Sequence, residues 1–231
     1  MKKYSNFIKE SNKDKFSDST KELTKEEFEK ILSNLPYNEY QKIFRGVNLN
    51  GPYYYIDNSK FERKSANTSN HYTLFINHSE GWKDFPKRQT ICDYYMAFHG
   101  GTRYVVIPVT NNSKWGIVPA CDIFIAEIFN ETNLYSKYFP TLDFVDFNGG
   151  LGNHNVSDDS YESMMNDIGK IDEPSFKAAV DAISRPYDIG FEVLDYDKLD
   201  TLDESQTEIW TDSDVLLIRK DIFDANYKFV N

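Results

Sequence analysis

Three short, widely separated stretches carry residue types that could do chemistry together. The first is Arg45-Gly46, inside the apolar run that also holds Tyr40, Ile43, Phe44 and Val47. An arginine costs several kcal/mol to bury unless an anion meets it. A glycine beside it weakens a strand unless the backbone must bend or admit something close. The second is Thr90-Ile91-Cys92-Asp93, which offers one hydroxyl. The third is Thr207 to Lys220, where Glu208, Asp212 and Asp214 stand just ahead of Val215-Leu216-Leu217-Ile218. A fixed cation suits phosphate. A carboxylate in a dry site suits a developing positive charge.

Other motifs carry less. Gly149-Gly150-Leu151-Gly152 fits neither a Walker A loop nor GxGxxG and reads as a loop. Asp158-Asp159 lacks an EF-hand pattern. Cys92 reads as a buried small hydrophobe rather than a nucleophile. The two cysteines, Cys92 and Cys121, fit free thiols in a reducing compartment, and four histidines without ligand spacing argue against a structural zinc site. No metal is expected.

The elements that must position these residues follow from pattern. Thr24-Lys25-Glu26-Glu27 has the form of a capping box, and Phe28, Ile31, Leu32 and Leu35 recur at helical spacing up to Pro36. Asn38 to Phe44 reads as a second helix or the approach to a strand. Strands are expected at Tyr53–Ile56, His71–Ile76, Arg103–Ile107, Trp115–Val118 and Val215–Ile218. Helices are expected after Asp93 (Tyr95, Met96, Ala97, Phe98), at Asp122–Phe129 and at Ser175–Ile183, and residues 148–170 read as a long loop. The pattern is α+β with mainly antiparallel strands and no βαβ alternation.

Size and charge set the limits. The chain has 231 residues, 40% of them hydrophobic and 16% aromatic, enough for one real core. Residues 1–20 read as a flexible arm and 21–231 as a single α+β domain. No apolar run reaches the length of a membrane span and the N-terminus has no signal-peptide core, so no membrane partner is expected. The net charge is −11, but it is uneven: residues 139–231 carry −14 and residues 1–138 carry +3. The acidic C-terminal third opposes binding to bare nucleic acid.

Cation first, hydroxyl second and carboxylate last is the chain order of ADP-ribosyltransferases of the Arg/Ser/Glu class, and the layout from Ile43 to Ile218 resembles that family. The resemblance implies split antiparallel β-sheets with flanking helices and NAD as substrate in the cleft between them. It implies that Arg45 and Gly46 meet the NAD phosphates and that Thr90 shapes the nicotinamide-ribose pocket. Tyr54, or its neighbours Tyr53 and Tyr55, would wall the nicotinamide. Glu208, with Asp214 second, would stabilise the oxocarbenium-like ribose. Thr90-Ile91-Cys92 stands where the family has Ser-Thr-Ser, and no Glu-x-Glu precedes the last strand. The block from Arg63 to Cys92 looks like a stretch in proteins of large tailed bacteriophages. Met1 to Glu10 resembles the capsid-targeting leaders of internal head proteins, with Ile8-Lys9-Glu10 as a prohead-protease site cut after Glu10. Together these imply a protein carried in the virion head and ejected into the host cytoplasm to modify a host protein. The alternative is a non-catalytic internal head protein that binds or inhibits a host factor.

Overall fold

The computed structural model describes residues 19–60, 76–77, 80–95, 101–119, 186–188, 190–202 and 207–230. Among them the chain forms an α+β fold dominated by one antiparallel sheet. Its strands are β1 (Thr20–Glu22), β2 (Ile43–Val47), β3 (Tyr53–Ile56), β4 (Thr90–Tyr94), β5 (Thr102–Pro108), β6 (Lys114–Ile117), β7 (Glu192–Asp195), β8 (Thr207–Thr211) and β9 (Val215–Arg219). Two helices accompany them, α1 (Lys25–Leu32) and α2 (Lys220–Asn226). The strand order is β1-β3-β9-β5-β2-β4-β8-β6-β7, and every pairing is antiparallel. No helix among the described residues is long and apolar enough to cross a membrane.

The central strands are apolar on both faces because both faces are covered. In β5, Tyr104 and Val106 belong to one core and Val105 and Ile107 to another; in β9, Val215 and Leu217 divide from Leu216 and Ile218 in the same way. Side chains alternate across a strand, so an unbroken apolar run is what burial on two sides requires. The second core is closed by Phe28 of α1 and Phe223 of α2, both fully buried. Phe28 stacks on Tyr53 at 4.6 Å between ring centroids.

α1 starts as its capping box implies. Thr24 Oγ1 accepts from the Glu27 N–H, and Glu27 Oε2 accepts from the Thr24 N–H at 2.9 Å. The helix stops at Leu32 with Ser33 as its C-cap, before Pro36 is reached. Asn38 to Phe44 is the approach to a strand, not a helix: Ile43 and Phe44 open β2. The expected strand at His71–Ile76 and the helices at Tyr95–Phe98, Asp122–Phe129 and Ser175–Ile183 lie wholly or mostly outside the described residues. Ile76 itself sits in a helical turn.

Two features of the sheet shape the site. Three residues, Asp212 to Asp214, connect β8 to β9, although β4, β2 and β5 lie between those strands. Four strand spacings measure about 19 Å, whereas the link from Thr211 to Val215 reaches roughly 14 Å when extended. The sheet therefore curls at this end. Second, β2 meets β4 only through Ile43–Tyr94 and Phe44–Asp93. Past Phe44, β2 continues with β5 alone and β4 continues with β8. The sheet opens between them.

Candidate functional site

The opening between β2 and β4 is spanned by Arg45. Arg45 lies on β2 at the first position beyond the shared pairs. Its Nη1 donates to the Ile91 carbonyl of β4 at 2.7 Å, so the guanidinium bridges the parted strands. The residue as a whole is half-buried, but its guanidinium is enclosed. Burial draws its pKa below the usual arginine value, and the Cys92 thiol and Asp93 carboxylate beside it oppose that shift. Gly46 follows within β2, opposite Arg103.

Thr90 begins β4 and is buried; its Oγ1 donates to Asn58 Oδ1 at 2.9 Å. Asn58 in turn binds the β8–β9 link. Its N–H donates to Asp214 Oδ1 at 2.8 Å and its side-chain amide to the Ser213 carbonyl at 2.6 Å. The other oxygen of Asp214 accepts from the Tyr55 hydroxyl at 2.5 Å. That carboxylate closes the curled end of the sheet. Both of its oxygens are used within the fold.

Glu208 is neither exposed nor in a turn. It lies within β8, 3% exposed, and its Oε1 accepts from Arg88 Nη2 at 2.5 Å. Both side chains of this ion pair are 4% exposed. Asp93, also buried, stands directly opposite Glu208 in the β4–β8 ladder. A second buried carboxylate thus stands opposite the Arg88–Glu208 ion pair in the dry interior. Leaving either sign alone there is costly, because a buried charge loses its hydration without recompense.

Register decides which of these residues can act together. Phe44, Asp93 and Glu208 are successive cross-strand partners and share one face of the sheet. Arg45, next along β2, projects to the other face, the one that holds Ile43, Tyr104 and Cys92. The three strands come together, but Arg45 and Glu208 do not face each other. Tyr54 lies farther off, on β3. Its hydroxyl accepts from the Gly51 N–H at 2.6 Å and its ring meets Tyr104 edge-on at 5.8 Å. Tyr53 belongs to the core beneath α1.

An aromatic box flanks Glu208 on its own face. Trp210, two residues along β8, is fully buried and donates from Nε1 to the Pro86 carbonyl at 2.8 Å. Around it stand Phe85 and Phe191, each at 6.2 Å, and Trp82 at 6.5 Å. The segment that supplies Trp82, Phe85 and Pro86 also delivers Arg88. Its placement is fixed by Lys87 N–H to Asp212 Oδ2 at 3.0 Å and Arg88 N–H to Asn77 Oδ1 at 2.7 Å.

Arg88 and Asp93 were not singled out from sequence as site residues. The available signal was Arg88 standing two residues ahead of the apolar strand that carries Asp93. Among the described residues, no group of three His, Cys, Asp or Glu side chains is arranged to hold a metal ion. Set against known protein families, curated proteins and solved structures, the chain matches none.

Proposed function

We propose that the protein is a phage-encoded mono-ADP-ribosyltransferase that uses NAD as substrate and works where β2, β4 and β8 adjoin. One observation carries this reading. Arg45, Thr90 and Glu208 are far apart in the chain, yet their strands are consecutive neighbours in the sheet. In the reaction, the bond between C1′ of the nicotinamide ribose and the nicotinamide nitrogen breaks, and nicotinamide leaves with the electron pair. An acceptor nucleophile on a host protein bonds to C1′ and gives up its proton. Arg45 is the cation for the pyrophosphate, and a carboxylate on β8 opposes the charge that builds at C1′.

The test is nicotinamide release from NAD by the purified protein, followed by liquid chromatography. Arg45→Lys keeps the charge but loses the planar fork. It is expected to weaken NAD binding by about tenfold or more, the loss of one charge-assisted hydrogen bond, with the fold intact. Unchanged NAD affinity would make Arg45 a bridge between strands and nothing more.

A second reading is favoured by a specific observation: both candidate carboxylates are already engaged, Glu208 by Arg88 and Asp214 by Tyr55 and Asn58. On that reading the protein is a non-catalytic internal head protein that binds or inhibits a host factor. A folded protein that releases no nicotinamide would decide for it. Both readings share packaging in the phage head, and both place the cleavage site at Ile8-Lys9-Glu10, outside the described residues. Mass spectrometry of virion-derived protein is expected to find a mature chain beginning at Ser11. An intact Met1–Glu10 would remove this route of packaging.

A further inference from the structure

Directly after strand β4 comes Tyr95, whose backbone takes φ 76°, the only non-glycine residue with positive φ among those described. Aromatic residues rarely adopt this region, and such outliers concentrate where a structure grips something. Cations hold it in place. The Tyr95 N–H donates to the Lys42 carbonyl at 2.6 Å, and the Lys42 ammonium lies 4.9 Å from the centre of the Tyr95 ring. Arg103 Nη2 reaches the Tyr95 carbonyl at 3.4 Å. The same guanidinium spreads over Phe44 at 4.3 Å, and Lys220 approaches that ring at 5.9 Å from another side.

Lys42 and Arg103 belong to residues 1–138, the part of the chain that carries +3. Lys220 is neutralised by Asp224 at 2.5 Å. Lys42 and Arg103 form no ion pair among the described residues; Arg103 is exposed and Lys42 half-exposed. Their aromatic contacts fix their positions without consuming their charge. Two pre-positioned cations on either side of a strained tyrosine make a clamp for anionic groups, since part of the ordering of the long side chains has already been met by the fold.

We infer that the surface formed by Lys42, Tyr95 and Arg103 docks a short acidic segment of a partner protein. The geometry favours a peptide over nucleic acid. A DNA duplex carries a charge about every 1.7 Å and would run beyond the clamp onto the exposed Asp221 and Asp224 of α2. A few carboxylates on a flexible segment fill the clamp and go no farther. The inference stands apart from any reaction with NAD.

The experiment is fluorescence anisotropy of a labelled glutamate-only peptide with the full chain, at low and at physiological ionic strength, beside a labelled DNA duplex. The peptide is expected to bind at low salt and to weaken as salt rises. Reversing both charges, K42E with R103E, is expected to weaken it on the order of tenfold or more. The milder pair K42S and R103S should weaken it less, with circular dichroism confirming the fold of each variant. Tyr95→Gly, which removes both the positive-φ side chain and the ring between the cations, is expected to weaken the peptide. Absence of peptide binding to the wild-type protein overturns the inference. So does equal binding by the charge-reversed protein, equal binding by the Tyr95→Gly protein, or tighter binding of the duplex than of the peptide.

Discussion

Replacing Glu208 by Gln is expected to lower the unfolding free energy by about 3–5 kcal/mol, the range for removing one partner of a buried ion pair. The amide keeps the shape and still offers an oxygen to Arg88. What it withdraws is the negative charge beside a guanidinium that is 4% exposed. A solvent-exposed glutamate would tolerate this change within about 0.5 kcal/mol. Denaturant unfolding of the two proteins separates these outcomes. The paired change Arg88→Met with Glu208→Leu should cost less than the sum of the two single changes, because neither partner of the ion pair is then left facing the gap of the other. If the two changes add as independent losses, the ion pair does not hold this part of the fold. Under the ADP-ribosyl transfer reading, Glu208→Gln also lowers NAD turnover on the order of 10²–10³-fold in the folded protein. Stability and turnover are separate measurements, so a structural carboxylate that lacks the catalytic role appears as loss of the first without the second.

The elements whose local pattern agrees with their final surroundings were readable in advance. β3, β5, β6 and β9 are β-branched and aromatic runs that end buried, and α1 begins with a cap that the chain itself completes. β8 was harder for a physical reason. Thr-Glu-Ile-Trp-Thr does not alternate: it sets Glu208 beside Trp210 on one face and Ile209 between two threonines on the other, so the local pattern marks neither face as buried. What hides Glu208 is the segment bearing Trp82 to Arg88, more than a hundred residues away in sequence. No local pattern encodes that covering layer. α2 was missed because it carries no side-chain cap: Arg219 precedes it without a capping bond, and packing of Phe223 holds it instead. The opening between β2 and β4 depends on where pairing stops, which follows from the curl of the whole sheet rather than from any one strand. Arg45 was rightly marked as an arginine in need of an acceptor. Its guanidinium finds one in a backbone carbonyl, Ile91 O of β4.

The covering layer leads to a second expected result, at a residue with no functional group. Gly116→Ala should destabilise the protein by about 3 kcal/mol, the upper end of the usual cost of overpacking a core. Gly116 lies opposite Trp210 in the β6–β8 ladder. A Cβ at Gly116 would stand 2.2 Å from Cε2 and Cζ2 of the indole. The clash is with a side chain, and φ at Gly116 is not positive, so backbone strain plays no part. Trp210 has little freedom to yield. Phe85, Phe191 and Trp82 surround it, and its Nε1 is tied to the Pro86 carbonyl. Any shift of the indole pulls on the segment that delivers Arg88 to Glu208, so the damage should spread to the buried ion pair. The check is a double-mutant cycle with Trp210→Phe, followed by denaturant unfolding. Phenylalanine removes the outer indole ring, so the added methyl should cost clearly less in that background than in the wild type. An equal cost in both backgrounds would mean that Trp210 is not what excludes a side chain at Gly116. A near-zero cost in the wild type would mean that the aromatic box is loose enough to repack, and that its hold on Arg88 is correspondingly weak.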